Sequence, residues 1–148
     1  MSFEERNTWL GLVVGLGVFW WFGTAVWQEW QAGGYDGADG LTLWARDVIW
    51  VIPVGVALMI AAVLLMHILH GLATGGRIDA LTDERDRWIG LWGLRVTLGI
   101  TSTVFLAGLG GLAWGWSPLL AFNVILLGFW CGSFIGDLVK VAIYRLGS

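Results

Sequence analysis

The chain has 148 residues, of which 57% are hydrophobic and only 13% charged, whereas soluble domains carry about 25% charged and roughly 45–50% apolar residues. Eleven acidic and eight basic residues leave a net charge of −3, so there is no basic field to hold nucleic acid. The single cysteine, Cys131, excludes an internal disulfide and any Cys-based zinc or iron–sulfur centre within one chain.

A transmembrane helix needs about 20 mainly apolar residues at 1.5 Å rise across a core of about 30 Å. Four stretches meet that length: residues 8–27, 48–73, 88–114 and 118–144. They predict a single all-α transmembrane domain over residues 1–148, an integral membrane four-helix bundle. The first span carries no charge. It follows acidic Glu4 and Glu5 and lacks a clean small-x-small cleavage site, so it is expected to remain in the mature protein rather than to act as a signal peptide.

The first loop, Gln31 to Gly40, is acidic and Gly-rich and is expected to be flexible and solvent-exposed. Asp36 and Asp39 suggest calcium, but an EF-hand loop needs about 12 residues with more ligands, and a plain polar loop is preferred. The second span holds Pro53, His67 and His70. In the second loop, Thr82 is expected to cap a helix that opens on acidic residues. The third span carries Arg95. A short Gly115-Trp-Ser-Pro118 connection then makes spans three and four an antiparallel hairpin, with Ser117 as cap and Pro118 at the first helical position.

Arg6, Arg77, Arg85, Arg87, Arg95, Lys140 and Arg145 lie toward one side, leaving only Arg46 on the other. By the positive-inside rule both termini are expected to be cytoplasmic, and Trp27, Trp30, Trp44, Trp50, Trp114 and Trp116 form an external aromatic belt.

In lipid, helices associate through close backbone approach. Gly128, Gly132 and Gly136 form a doubled GxxxG stripe on the fourth span, expected to pack inside the bundle, with a second subunit as the alternative. Ala107, Gly111 and Gly115 form a matching stripe on the third, and Gly11 and Gly15 a shorter one on the first.

Ionisable groups within spans are costly and seek partners. Arg95 lies 19 residues before Trp114 and Asp137 lies 19 residues after Pro118, which puts both at one depth in an antiparallel hairpin. A salt bridge between them is expected, acting as a structural clasp in preference to a proton or ion pathway. Lys140, one turn beyond Asp137, pairs with it or reaches the headgroups. His67 and His70 lie on neighbouring parts of one helix face and are expected to meet this same cluster. Two residues of one helix cannot ligate a haem from both sides. Each can instead hold a pigment such as bacteriochlorophyll or a five-coordinate haem, or the two can share a metal. The motif lacks the Glu of a di-iron helix. Interfacial hydrogen bonding or a pH-sensitive contact is the preferred role, and no cofactor is the expectation.

Enzyme readings find little support. No Ser or Cys has a His and an acid at its own depth on the external side, there is no phosphate-binding Gly-Lys motif or HExxH, and mid-span Cys131 sits in surroundings that keep a thiol inert. Small multidrug-type transporters place an acid in their first span, and here there is none.

The opening Met1-Ser-Phe-Glu-Glu-Arg-Asn-Thr-Trp9, the run Asp83-Glu84-Arg85-Asp86-Arg-Trp-Ile89 with Gly93 and Arg95 after it, and the closing Val139-Lys-Val-Ala-Ile-Tyr-Arg145 resemble a group of small uncharacterised bacterial four-helix membrane proteins. Their mark is an Asp-Glu-Arg-Asp loop before the third helix. Where that pattern is more charged after the loop, this chain has Trp88, Gly90, Leu91 and Trp92, which favours a lipid- or partner-facing segment. The resemblance implies a fold and no activity. The expected role is a non-catalytic accessory or structural subunit of the bacterial inner membrane, in contact with the bilayer and with other membrane subunits or its own copies. The alternative is a small-molecule protein, holding a cofactor at His67 or His70 or conducting protons or ions through Arg95 and Asp137.

Overall fold

The computed structural model describes residues 3–74 and 83–146. Among them are four helices: α1 (Phe3–Gln31), α2 (Gly40–Thr74), α3 (Glu84–Ala113) and α4 (Pro118–Leu146). All four are long and apolar enough to cross a membrane, the pattern of a multi-pass membrane protein.

Each helix is longer than the span expected from hydropathy, because helical hydrogen bonding continues beyond the apolar stretch wherever the ends can be satisfied, although α3 stops at Ala113, one residue short of its expected end. Glu4 and Glu5 occupy the first turn of α1, where carboxylates favour the positive end of the helix dipole. Asp83 is the N-cap of α3, its carboxylate accepting from the Glu84 N–H at 2.6 Å. The expected cap, Thr82, lies outside the described residues, and the cap falls one position later because Asp83 presents a short acceptor next to the first helical N–H. At α4 the Ser117 hydroxyl accepts from the Leu120 N–H at 3.3 Å, with Pro118 opening the helix as expected. Pro53 sits inside α2 without ending it.

The α3–α4 turn closes on Gly115, whose φ of 89° favours a residue without a Cβ. The Trp116 N–H bonds the Gly111 carbonyl at 2.9 Å and the Gly115 N–H bonds that of Leu112 at 3.1 Å. This is the paired bonding of a Schellman motif, completed by Trp116 packing on Gly111.

Helices consecutive in the chain run antiparallel, as do α1 and α4. α3 and α4 form the most extensive pair, α1 packs on both α2 and α4, and α2 meets α4 only lightly. In the α3–α4 seam Gly128, Gly132 and Gly136 are all buried, as expected. Gly128 meets Val104, Gly132 meets Thr101 and Thr97, and Gly136 meets Thr97 and the Gly93 backbone. The Thr97 hydroxyl donates to the Gly132 carbonyl at 3.1 Å.

The opposing stripe differs from expectation. Gly111 is buried, but Ala107 is exposed and Gly115 lies beyond the helix end. The face that meets α4 runs through Gly93, Thr97, Thr101, Val104, Gly108 and Gly111, in steps of four, four, three, four and three that track one side of a 3.6-residue helix. A strict four-residue repeat drifts off that side. Gly11 and Gly15 both lie toward α4: Gly11 faces the Asp137 carboxylate, and the Gly15 carbonyl accepts from Trp130 Nε1 at 3.2 Å.

Candidate functional site

The polar side chains gather at the end of the bundle that carries both termini. Glu5 of α1 is buried and accepts from Arg145 Nε of α4 at 3.1 Å. Asp86 of α3 is also buried and accepts from the Tyr144 hydroxyl at 2.7 Å. Two carboxylates near the N-termini of α1 and α3 are thus each tied to the last turns of α4. Within the Asp83-Glu84-Arg85-Asp86 motif the roles separate: Asp83 caps, Glu84 and Arg85 are exposed, and Asp86 turns inward.

Deeper in the same end, Lys140 Nζ pairs with Asp137 Oδ1 at 2.8 Å, one turn apart on α4. The Lys140 stem crosses Gly93 of α3, and Asp137 Oδ2 faces Gly11 of α1. This pair therefore plugs the junction of three helices. The expected Arg95–Asp137 bridge does not form. Arg95 is exposed, with its guanidinium 5.2 Å from the Trp92 ring centroid. Matching depth was not enough: Arg95 sits two residues from both Gly93 and Thr97, about 200° of helix rotation away from the seam.

The two histidines do not join Asp137 either. His67 Nδ1 lies 2.8 Å from its own helix's Val63 carbonyl, and its ring meets the Phe3 edge with centroids 5.1 Å apart. Arg6 Nη1 of α1 lies 3.1 Å from His70 Nδ1 and 3.2 Å from its Nε2. Both histidines thus serve the α1–α2 contact. Among the described residues no three His, Cys, Asp or Glu side chains converge as a metal site would require.

The opposite end is built around aromatic side chains. Val26, Tyr35 and Trp44 form a buried cluster, joined by Phe22, Val48, Leu119 and Leu126. Trp44 Nε1 donates to Asn123 Oδ1 at 3.1 Å, and Asn123 Nδ2 donates to the Leu119 carbonyl at 2.9 Å. Trp44 is therefore an inward anchor, whereas Trp27, Trp30, Trp50, Trp114 and Trp116 are exposed.

The first loop is also more ordered than its composition suggests. Asp36 and Asp39 are exposed, but Tyr35 is buried and donates to Asp47 Oδ2 at 2.8 Å. Gly40 meets the Tyr35 carbonyl so closely that a Cβ there would overlap it. Burial, then the Asp47 hydrogen bond and charge, and finally Glu29, push the Tyr35 phenol well above its ordinary range. An anion there would be desolvated and would face two carboxylates.

The sequence offered Arg95, Asp137 and the histidines as its polar landmarks and passed over Glu5, Arg6, Asn123, Tyr144 and Arg145. A periodic signal exists for Asp86, seven residues before Gly93 and hence on the seam side of α3. The others are placed by partners on different helices, and their spacing carries no such mark. Comparison with known proteins finds no matching family model, no similar curated protein and no matching solved structure.

Proposed function

We propose that this chain is a non-catalytic accessory or structural subunit of the bacterial inner membrane, with both termini cytoplasmic, that works by packing its helices against other membrane subunits or further copies of itself. The observation that carries this reading is the unequal packing of the four helices. The most apolar 18-residue window of α2 has no buried residue, while 28% of the corresponding window of α4 is buried. A helix so apolar and so lightly held by its own chain presents most of its circumference to lipid or to a partner. The asymmetry of basic residues supports the orientation, and the Glu5–Arg145 ion pair and the Tyr144–Asp86, Trp44–Asn123 and Thr97–Gly132 hydrogen bonds join helix to helix, as structural clasps do.

Native mass spectrometry after gentle extraction from the source membrane tests the role. A fixed partner at defined stoichiometry, or a homo-oligomer of defined size, is the expected result. A lone chain under conditions that preserve known membrane complexes would overturn it. Cysteine labelling near Ser2 and Ser148 in intact and opened cells tests the orientation, with labelling only after opening as the expected outcome.

A second reading, cofactor ligation, draws on His67 alone. Its Nδ1 bonds a backbone carbonyl, the contact that fixes a ligating imidazole with its other nitrogen free to coordinate. A chromophore lost on His67→Ala with unchanged assembly would favour that reading.

A further inference from the structure

Between α1 and α2, at the end carrying the termini, runs an open groove of about 460 Å³. One wall is Leu10. The other is Ala62, Leu65, Met66 and Leu69 of α2, and the groove is closed by Arg6 and His70. The α2 residues with His70 fall at successive steps of three, one, three and one, a single face of that helix.

Two features single this groove out from the other apolar surface. The first is an uncommitted cation. The ion pairs Lys140–Asp137 and Arg145–Glu5 use other groups. Arg6 contacts only the His70 ring through Nη1, and its buried Nε has no hydrogen-bond partner. A guanidinium offers five donors in a fork that matches phosphate oxygens, so this one retains unused donors.

The second feature is depth. Twenty-nine residues make α1 about 43 Å long, against a hydrocarbon core of about 30 Å, so roughly four residues at each end lie at headgroup level. Arg6 is three residues from the start of α1 and His70 four from the end of α2. Leu10 on α1 and Leu65 and Met66 on α2 lie about one turn deeper, with Leu69 next to His70 at the rim. A cation at headgroup level above an apolar channel matches the outline of one molecule, an anionic phospholipid.

We infer that the α1–α2 groove is a binding site for an anionic phospholipid, whose phosphate sits on Arg6 beside His70 and whose acyl chain lies along Leu10, Leu65, Met66 and Leu69. The site rests on the membrane-spanning part of the reading above and is independent of the accessory-subunit role. The bound lipid fills the space between two loosely paired helices and accepts from the donors that Arg6 leaves unused.

The test uses delipidated full-length protein in neutral detergent, titrated with dihexanoyl phosphatidylglycerol, dihexanoyl phosphatidylcholine or inorganic phosphate and read by native mass spectrometry. The wild type is expected to hold the anionic lipid at one per chain, about tenfold more tightly than the zwitterionic one, the ratio expected of one charge-assisted contact. Arg6→Gln should erase that preference. Leu69→Trp, at a position 57% exposed, should block the channel and weaken both lipids while Arg6 remains. Equal binding of the two lipids by wild type, or an unchanged preference in Arg6→Gln, overturns the proposal. Saturable inorganic phosphate binding that displaces the lipid also overturns it in favour of a free-phosphate site. Carbonate washing of source membranes separates the two failures: release of the chain defeats the membrane-spanning reading itself, whereas retention with no lipid preference defeats only the site.

Discussion

The α3–α4 seam and the α1–α2 pair are both made of apolar helices, yet only the first is closely packed. The seam places Gly93, Gly108, Gly128, Gly132 and Gly136 where backbone or side chain from the other helix occupies the space a Cβ would need. In α2, Gly55 and Gly71 have nothing within 4 Å of that position. Glycine content therefore does not set packing; what matters is whether small residues repeat along one helix face and meet a complementary face. Lipid removes the hydrophobic drive between helices. A helix without such a face, like α2, is left to be held by polar contacts at its ends and by whatever lies beside it in the membrane.

The most forceful way to break this contrast is to place the same side chain in both regions. At Gly132 a Cβ would come within 2.8 Å of Thr101 Cγ2 and 3.2 Å of the Thr97 carbonyl oxygen, and the carbonyl cannot turn aside. Gly132→Leu is expected to destabilise the protein by about 3 kcal/mol, at the upper end of overpacking costs. Gly55→Leu should change stability by less than about 0.5 kcal/mol, as surface substitutions do. Midpoints of unfolding in a denaturing-detergent titration compare the two directly. Equal effects would mean that the seam is no more tightly specified than α2.

The same contrast explains what could be read from the sequence. Four helices, their order and the tight α3–α4 hairpin follow from hydropathy, from Gly115 and from Ser117-Pro118, all of which are local. The triple glycine stripe of α4 also reads directly, because one helix presents one face. The matching stripe of α3 did not: the repeat through Ala107 keeps strict four-residue spacing, while the real contact face mixes steps of four with steps of three. Trp44 is another instance. As one of several tryptophans beside a loop it suits an interfacial belt, and only Asn123, 79 residues away, shows that it turns inward. Polar placement was legible in depth but not in rotation about the helix, since depth needs only a count of residues and rotation needs the neighbouring helix.

A smaller effect is expected where a charge plugs the junction of α1, α3 and α4. Lys140→Gln removes the cation from Asp137 and leaves a half-buried carboxylate facing Gly11. A cost of about 1–2 kcal/mol is expected, below the usual 3–5 kcal/mol for a fully buried pair because both side chains keep about a quarter of their exposure. Lys140→Gln combined with Asp137→Asn should recover most of that loss. No recovery would show that the Lys140 stem over Gly93 matters more than its charge.

At the far end, Tyr35→Phe deletes the hydrogen bond to Asp47 and should cost about 1 kcal/mol at neutral pH. The pH dependence has a definite sign. The folded phenol ionises above its ordinary value of about 10, so the unfolded chain loses its proton first. The contribution is then full below pH 10 and declines as pH rises beyond it. Wild type should therefore lose stability between pH 9 and 11 more steeply than Tyr35→Phe, and parallel curves would place the phenol in solvent.

Arg95 should give the smallest effect of all. If it clasped Asp137, Arg95→Gln would strand a carboxylate within the bundle and cost as much as Lys140→Gln. In the structure it lies on the outer face of α3 above Trp92, where a cation–π contact at an exposed site contributes about 0.5–1 kcal/mol at most and a flexible side chain gives part of that back in entropy. Arg95→Gln is therefore expected to shift stability by less than about 0.5 kcal/mol and to be additive with Lys140→Gln, since the two share no partner. Non-additivity beyond about that margin would mean that Arg95 reaches the Asp137 carboxylate after all. The two cations, 45 positions apart in sequence and near one depth, would then belong to a single site rather than to opposite faces of α3.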